Sequence, residues 1–294
     1  MNVKTILTSL MIIVLPFQAK PQGFAGMGAD AEGYALPEPT THFTFPHDHG
    51  PHRDFRIEWW YVTAVLTSAS GELFGAQWTL FRNAIRPTGQ DSDQIWLGHA
   101  AVSTPQGHFH AERSARGGIG QADVIATPFR AFIDEWEMTG PDPNNVVLPA
   151  QGTDFAYELS LDASLPFVLQ GANGYSQKSA SGMASYYFSQ PFYRAAGTIT
   201  LPTGPVSVTG QAWMDREWSS QPLSATQTGW DWFSLHLDGG EKFMGFRLRD
   251  TEQDDYVVGT WISAEGSPDP LQPGELTLEP TNWARIEERE IPIG

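Results

Sequence analysis

The sequence predicts an all-β protein whose strands pair in an antiparallel arrangement. Its 29 glycines and 22 prolines supply many turns, which suit short strands better than long helices. No segment longer than about 10 residues keeps apolar side chains at the i, i+3, i+4, i+7 spacing of an amphipathic helix. Closure into a barrel is favoured, because a chain with so many hairpins would otherwise leave exposed strand edges.

The expected strands follow one another as aromatic and β-branched runs. Residues 56–67 and 73–85 form the first two, and the Ser-Ala-Ser-Gly-Glu segment between them predicts a hairpin turn. Further strands are expected at residues 95–103, 129–133, 155–161, 186–187, 198–201 and 206–213. The Pro-Thr-Gly-Pro segment at 202–205 is a turn that separates the last two.

The clearest alternation of apolar and polar residues covers residues 233–249. Two runs of this kind flank the turn Gly239-Gly240, a pattern typical of an antiparallel hairpin with one buried face. The side chains expected on the buried face are Phe233, Leu235, Leu237, Met244, Phe246 and Leu248.

Length and charge limit the classes of function. A chain of 294 residues favours two domains, and 40% hydrophobic with 12% aromatic residues is enough for a large core. The chain carries 34 acidic and 17 basic residues, a net charge of −17. This balance argues against nucleic acid and anionic lipid surfaces as partners, because the protein repels phosphate.

The first residues, 1–25, predict a signal peptide. Lys4 supplies a positive charge before a mostly apolar run from Ile6 to Phe17, which is shorter than the ~20 residues of a membrane span. We therefore expect the protein to be exported and either periplasmic or secreted. Because no second such run follows, we expect no integral membrane segment in the mature chain. The absence of cysteine excludes a disulfide and a lipoprotein anchor.

The rest of the chain divides at polar segments. Residues 26–44 form an expected linker, 45–220 a first domain and 225–294 a second, with a polar stretch at 219–228 between them. The second segment is long enough for four or five strands but too short to close a barrel of eight. Because the chain stops where a strand is starting, we expect a C-terminal truncation.

Three short motifs place charged groups beside large aromatic residues. They are Asp-His-Gly-Pro-His at 48–52, Arg-Ile-Glu-Trp-Trp-Tyr at 56–61 and Trp-Met-Asp-Arg-Glu-Trp at 213–218. One interpretation is a single apolar cleft with polar groups fixed inside it. The alternative is that the Arg/Glu pairs are ion pairs on strand surfaces and that the tryptophans belong to an ordinary core.

These motifs, together with Phe-Gly-Ala-Gln-Trp-Thr-Leu-Phe-Arg at 74–82, resemble the AttH-like family. That family includes the carotenoid 1,2-hydratases (hydroxyneurosporene synthases), the kievitone hydratases and exported bacterial proteins called predicted secreted hydrolases. The resemblance runs from about residue 43 to the end. It implies two consecutive antiparallel lipocalin-like β-barrels, of which the second is incomplete here.

Hydration of an isolated C=C bond needs an acid that protonates one carbon and a group that stabilises the carbocation. Asp215 is the candidate acid, provided that burial raises its pKa above the ordinary value of about 3.9. In the hydratases a proposed acid/base Asp lies two residues after an aromatic, and Trp213 occupies that position here instead of Tyr. Tyr187 or Tyr186 could offer a second aromatic face to the cation.

Each candidate also has a structural interpretation. Asp215 could pair with Arg216 or Arg82, which would lower its pKa and remove it as an acid at neutral pH. Glu58 could likewise form a buried pair, with Arg56 and Arg82 holding the cleft in shape.

Half of the eight histidines, residues 42, 47, 49 and 52, lie close together near the start of the first strand. Metal binding is one interpretation, but the spacing matches no ligand geometry of a regular element. We therefore expect a structural or substrate-positioning role for His49 and His52, and no metal.

The sequence favours a protein that binds a hydrophobic, isoprenoid- or lipid-like small molecule, with hydration of a C=C bond as the candidate reaction. A non-enzymatic carrier and a secreted hydrolase of unknown substrate are the alternatives. No Gly-x-Ser-x-Gly, P-loop or dinucleotide-binding motif occurs, so no cofactor is expected. The expected substrate-binding residues are His49, His52, Arg56, Glu58, Trp59, Trp60, Tyr61, Arg82, Tyr186 and Trp218.

Overall fold

The computed structural model describes residues 31–221, 223–224, 226–286 and 289–292. The predicted signal peptide and the first residues of the predicted linker lie outside the described residues. The described chain is all-β, which confirms the predicted fold class. No helix in these ranges is both long and apolar enough to cross a membrane.

Nineteen strands are described in these ranges. The strands β1–β9 are Ile57–Ser68, Leu73–Ala84, Gln94–Thr104, Gly107–Arg116, Ala122–Ile125, Phe129–Ile133, Trp136–Asp142, Asn145–Gln151 and Ala156–Asp162. The strands β10–β19 are Val168–Leu169, Tyr175–Gln177, Ala184–Leu201, Gly204–Ser219, Gln227–His236, Lys242–Asp250, Tyr256–Ile262, Pro268–Pro270, Trp283–Ile286 and Arg289–Pro292.

Strands β1–β13 form one antiparallel sheet that curls into a nearly closed barrel. The strand order is β4-β3-β2-β1-β13-β12-β9-β8-β7-β6-β5, and β10 and β11 pair with β12. Near one end of this path β6 contacts β2, β3 and β4, which brings the two edges of the sheet towards each other. The long neighbours β12 and β13 lie in the middle of the sheet, where they position the residues discussed below.

The barrel is filled by aromatic side chains that point inward from alternate positions of its strands. Trp60, Trp78, Trp96 and Trp136 are all essentially inaccessible to solvent. Each buried aromatic side chain of this size removes about 150–250 Å² from water, which corresponds to roughly 4–6 kcal/mol of apolar burial. The interior is therefore a packed core.

The strands β14–β17 form a second antiparallel sheet, and β18 and β19 form a separate two-stranded ribbon. The inner face of this sheet carries Met244, Phe246 and Leu248. These residues cluster with Tyr187 and Trp213 of the barrel, so the second sheet packs on the outside of the first.

The side chains predicted to face the core are the correct ones in β15 but the wrong ones in β14. Ser234 lies directly opposite Met244 in the ladder, and residues opposite each other share one face of a sheet. Phe233 and Leu235 therefore point outward and are 41% and 45% exposed. Apolar alternation in one strand does not by itself say which of its two faces the neighbouring strand turns inward.

Candidate functional site

The predicted motif residues lie on two opposite faces of the barrel wall. Tyr61 of β1 pairs with Asp215 of β13, and Trp60 pairs with Arg216. Because successive side chains of a strand alternate between faces, the first pair points outward while the second points into the barrel. Trp60 and Trp213 accordingly belong to different clusters, so the prediction of one cleft that contains both is wrong.

The inward face holds a buried charge network around Glu58. Its carboxylate accepts hydrogen bonds from Nε of Arg82 and Nη2 of Arg216, and from the backbone N–H of His52 at 2.9 Å. Burial by itself would raise the pKa of Glu58, but the two guanidinium groups hold that pKa well below its usual range. The ion-pair interpretation of Glu58 is thus confirmed, with Arg216 in place of the expected Arg56.

The ring of His52 is held by stacking on one face and by contacts at both of its nitrogens. It stacks on Trp218 with centroids 3.9 Å apart, and its Nδ1 lies 3.0 Å from Nη2 of Arg216. A guanidinium can only donate, so Nδ1 accepts, and Nε2 carries the proton that it shares with Asp48 at 3.2 Å. The donor atoms of His47, Asp48 and His52 lie within 4.8 Å of one another.

The remaining predicted substrate-binding residues on this side also pack inside the protein. The His49 ring stacks on Phe45 with centroids 4.7 Å apart, and its backbone carbonyl accepts the indole N–H of Trp60 at 3.0 Å. The Tyr186 hydroxyl accepts a bond from the N–H of Glu38 at 2.7 Å. Arg56 donates from its backbone to Ser220. None of these side chains lines the cavity described next, so they do not form one binding site with Asp215.

The outward face borders a cavity of about 300 Å³ between the barrel wall and the second sheet. This volume lies at the lower end of the range of small-molecule sites. The lining is mostly apolar and aromatic, with a few polar side chains that converge at the barrel wall. The lining residues are Trp59, Tyr61, Gln77, Thr79, Phe81, His99, Lys178, Tyr187, Asp215, Glu217, Leu223, Trp230, Trp232, Phe246 and Leu248.

Asp215 lies at this wall and is only 4% exposed. Its Oδ1 accepts hydrogen bonds from the Ser189 hydroxyl at 2.6 Å and from the Trp213 indole at 2.7 Å, and Tyr187 bonds to the same carboxyl group. Burial raises the pKa of Asp215 to about 7, and the nearby Glu217 adds to the shift while the three hydrogen bonds oppose it. No arginine or lysine in the described ranges forms an ion pair with it, because Arg82 and Arg216 lie on the other face.

Tyr187 joins the barrel to the second sheet. Its hydroxyl bonds to Asp215 and accepts the indole N–H of Trp232 at 3.3 Å. Burial, reinforced by Asp215 and Glu217, raises the pKa of Tyr187 well above its usual value, so the phenol stays neutral. Trp213 is fully buried behind the cavity wall. It therefore orients Asp215 through its N–H, whereas the expected aromatic surface is supplied by Trp59, Tyr61 and Trp232.

Of the fifteen residues that line the cavity, only Trp59, Tyr61, Tyr187 and Asp215 were predicted as site residues. Among the eleven that were not predicted, Lys178, Glu217 and Trp232 matter most for the argument below. Glu217 stands in the third motif, but its face of the strand follows only from the pairing of β13 with β1. Lys178 follows β11 in a serine-rich stretch, and nothing local marks it. Trp232 reaches the site from the second sheet, at a distance of 45 residues along the chain from Tyr187.

The family model described as AttH-like matches residues 36–294. An AttH-type protein of Nitrosomonas europaea shares 32% sequence identity with a TM-score of 0.78, over 88% of this chain and 82% of that one. Kievitone hydratase of Nectria haematococca shares 14% identity with a TM-score of 0.64, over 86% of this chain and 75% of its own, a likeness of fold. No curated protein matches the chain. On the family match, the chain belongs to the AttH-like family.

Proposed function

We propose that the protein binds an apolar, isoprenoid- or lipid-like molecule in the outer cavity and hydrates a C=C bond there. The observation that carries this proposal is Asp215, a buried carboxyl in an apolar cavity whose described hydrogen-bond partners are all uncharged. A carboxyl with a pKa of about 7 can hold a proton at neutral pH and deliver it. The fold shared with an enzyme named as a hydratase agrees with this chemistry.

The reaction would begin when Asp215 transfers its proton to one carbon of the double bond. The other carbon becomes cationic, and the faces of Trp59, Tyr61 and Trp232 at the cavity wall attract a cation. Ser189 and Trp213 both donate to the carboxyl group. They would stabilise the carboxylate that Asp215 becomes, so the proton leaves without an uncompensated buried charge. Water then adds to the cation, and the protonated alcohol that forms releases one proton to give the alcohol.

The test is incubation of the purified protein with a cell lipid extract in heavy-oxygen water, followed by mass spectrometry. Hydration would yield lipids whose mass has increased by one molecule of heavy-oxygen water. Asp215→Asn should lower their formation by at least ~100-fold, since general acid catalysis contributes that much. The same lipids should still copurify with this variant, because the shape of the cavity is kept. Labelled products that form equally with Asp215→Asn would contradict the proposal.

A carrier function is the second candidate, and the mostly apolar, aromatic lining of the cavity favours it as well. It predicts lipids that copurify unchanged with the wild type and with Asp215→Asn, and no labelled product with either. Export of the chain and a second lipocalin-like barrel over residues 225–294 also remain proposals. They rest on the apolar run after Lys4 and on the family resemblance.

A further inference from the structure

A second polar group faces the cavity beside Asp215. Lys178 and Glu217 form an ion pair with 2.8 Å between Nζ and Oε1, and both side chains are only 8% exposed. Ser185 also donates to Oε1, and Nζ lies 3.2 Å from the Ser176 hydroxyl. Lys178 further lies over the Phe246 ring, 4.3 Å from its centroid. The pair is thus held rigidly where the barrel wall meets the second sheet.

This ion pair presents unused bonding capacity to the cavity. Both bonds to the Glu217 carboxylate end on Oε1, so Oε2 has no partner among the described residues. An ammonium group has three N–H donors, and two of those on Lys178 are accounted for by Glu217 and Ser176. A buried ion pair adds little to stability compared with apolar side chains of similar size. Because Glu217 and Lys178 both line the cavity, this acceptor and this donor suit a ligand hydroxyl or a water molecule.

The spacing along β13 relates this pair to Asp215. Asp215 and Glu217 are two positions apart on one strand, so both point to the outer face with Cα atoms about 6.6 Å apart. Both carboxyl groups line the same wall of the cavity, so a molecule that reaches Asp215 also lies near Glu217.

We propose that Glu217, held by Lys178 and Ser185, binds the water that adds to the double bond and accepts its proton. This inference rests on the proposed function. Asp215 gives its proton to one carbon, the water oxygen bonds to the other carbon, and the proton released by that oxygen passes to Glu217. The product is an alcohol with one added water, and the two carboxyl groups return to their starting states by exchange of a proton with solvent.

A protonated alcohol is a far stronger acid than a carboxylic acid, so even a carboxylate stabilised by Lys178 is basic enough for this step. The product hydroxyl would remain beside Oε2 of Glu217 and the Lys178 ammonium group. The cavity should therefore recognise a tertiary alcohol on a branched hydrocarbon skeleton. Without such a polar site, an apolar cavity would prefer the hydrocarbon, because an unbonded buried hydroxyl loses its hydration.

The test uses two saturated probes with one carbon skeleton, p-menthane and its tertiary alcohol dihydroterpineol, which contain no double bond to hydrate. Their affinities are measured by titration of tryptophan emission. The wild type should bind the alcohol more tightly than the hydrocarbon. The double variant Lys178→Met/Glu217→Leu should lower the affinity for the alcohol at least tenfold and leave the affinity for the hydrocarbon unchanged. This double variant removes both charges together, so neither is left buried without its partner.

Arg130→Met/Glu137→Leu is the matched control, because it removes an ion pair of 2.8 Å that is exposed on β6 and β7, away from the cavity. It should leave both affinities unchanged. If Lys178→Met/Glu217→Leu loses affinity equally for both probes, the pair has a structural role and the inference is overturned. Unchanged affinity for both probes would overturn it as well. If that variant does not fold, the wild type still decides, since tighter binding of the hydrocarbon overturns the inference. Failure of both probes to bind the wild type would instead remove the apolar site of the proposed function.

Discussion

Two buried carboxyl groups on neighbouring strands have opposite electrostatic surroundings. Glu58 accepts bonds from two guanidinium groups, and these hold its pKa well below the usual range. Asp215 accepts bonds from a hydroxyl and an indole, so burial dominates and raises its pKa to about 7. The environment alone keeps the carboxyl of Glu58 ionised and brings the pKa of Asp215 close to neutral pH.

The raised pKa of Asp215 should make the stability of the protein depend on pH. Between about pH 4 and about pH 7 the folded state holds a proton on this group that the unfolded state has released, so the free energy of unfolding falls as pH rises. The stabilisation is fully present below about pH 4. The loss across this window should approach about 4 kcal/mol, since three pKa units separate the two states. Urea denaturation from about pH 4 to about pH 8 measures it.

Asp215→Asn is the reference for this measurement, because the amide has the shape of the carboxyl but does not titrate. All other ionisable groups are shared, so the difference between the two stability curves isolates Asp215. The free energy of unfolding of the wild type minus that of Asp215→Asn should fall steadily from about pH 4 to about pH 7 and then level off. Parallel curves over the whole range would show that the carboxyl titrates as an exposed one.

Glu58 should behave in the opposite way, as a structural residue. Glu58→Gln leaves Arg82 and Arg216 in the barrel without their counter-charge, and breaking a buried pair from one side costs about 3–5 kcal/mol. Denaturant titration should show this loss, whereas Glu158→Gln, an exposed carboxyl on β9, should change little. Hydrocarbon affinity should persist in folded Glu58→Gln, because Glu58 points away from the cavity. Loss of that affinity with unchanged stability would contradict this assignment.

At the scale of the strand, the sequence predicts elements well where apolar alternation is unbroken. The first two strands were expected at 56–67 and 73–85 and are observed at Ile57–Ser68 and Leu73–Ala84. The strand β12 runs from Ala184 to Leu201, yet only two fragments of it were predicted. Its polar residues Ser185 and Ser189 interrupt the apolar pattern because they bond the carboxylates of the site.

The candidate site was predicted only in part, for a reason that lies in strand register. Asp215 and Tyr187 were identified from the residues and the family resemblance, and both line the cavity. Alternation separates odd from even positions within one strand. It does not say which residues of two strands lie on the same face until the pairing of the strands is known. In this barrel the pairing places Tyr61 opposite Asp215. That missing register is why Trp60 was placed with Trp213.

The register of β1 and β13 depends on a close approach at Gly210. A Cβ atom added there would lie 2.1 Å from the carbonyl oxygen of Val65 and 2.9 Å from the Cα of Leu66. Gly210→Ala must therefore push the two strands apart and should destabilise the protein by about 1–3 kcal/mol, as overpacking does. Thermal melts of Gly210→Ala and Gly107→Ala test this, since a Cβ at Gly107 meets nothing within 4 Å. Equal melting temperatures for the two variants would argue against the close approach.

At the scale of the whole molecule, the site exists because the second sheet packs on the outside of the barrel. Trp232 makes this junction: its indole N–H bonds to Tyr187, and its ring meets Tyr61 edge-on with centroids 5.6 Å apart. One wall of the cavity therefore comes from the barrel and the other from the sheet. A bound molecule would contact both, and its binding would stabilise their association.

This arrangement predicts which tryptophans report on a ligand. Trp232 lines the cavity, whereas Trp60 is 1% exposed inside the barrel and bonds to the His49 carbonyl. Titration of the wild type with p-menthane should therefore change tryptophan emission. The change should be smaller in Trp232→Phe, which removes one of the three indoles that line the cavity, and should be undiminished in folded Trp60→Phe, which alters only the core. An emission change that persists in Trp232→Phe but disappears in Trp60→Phe would place the ligand inside the barrel and refute the outer site.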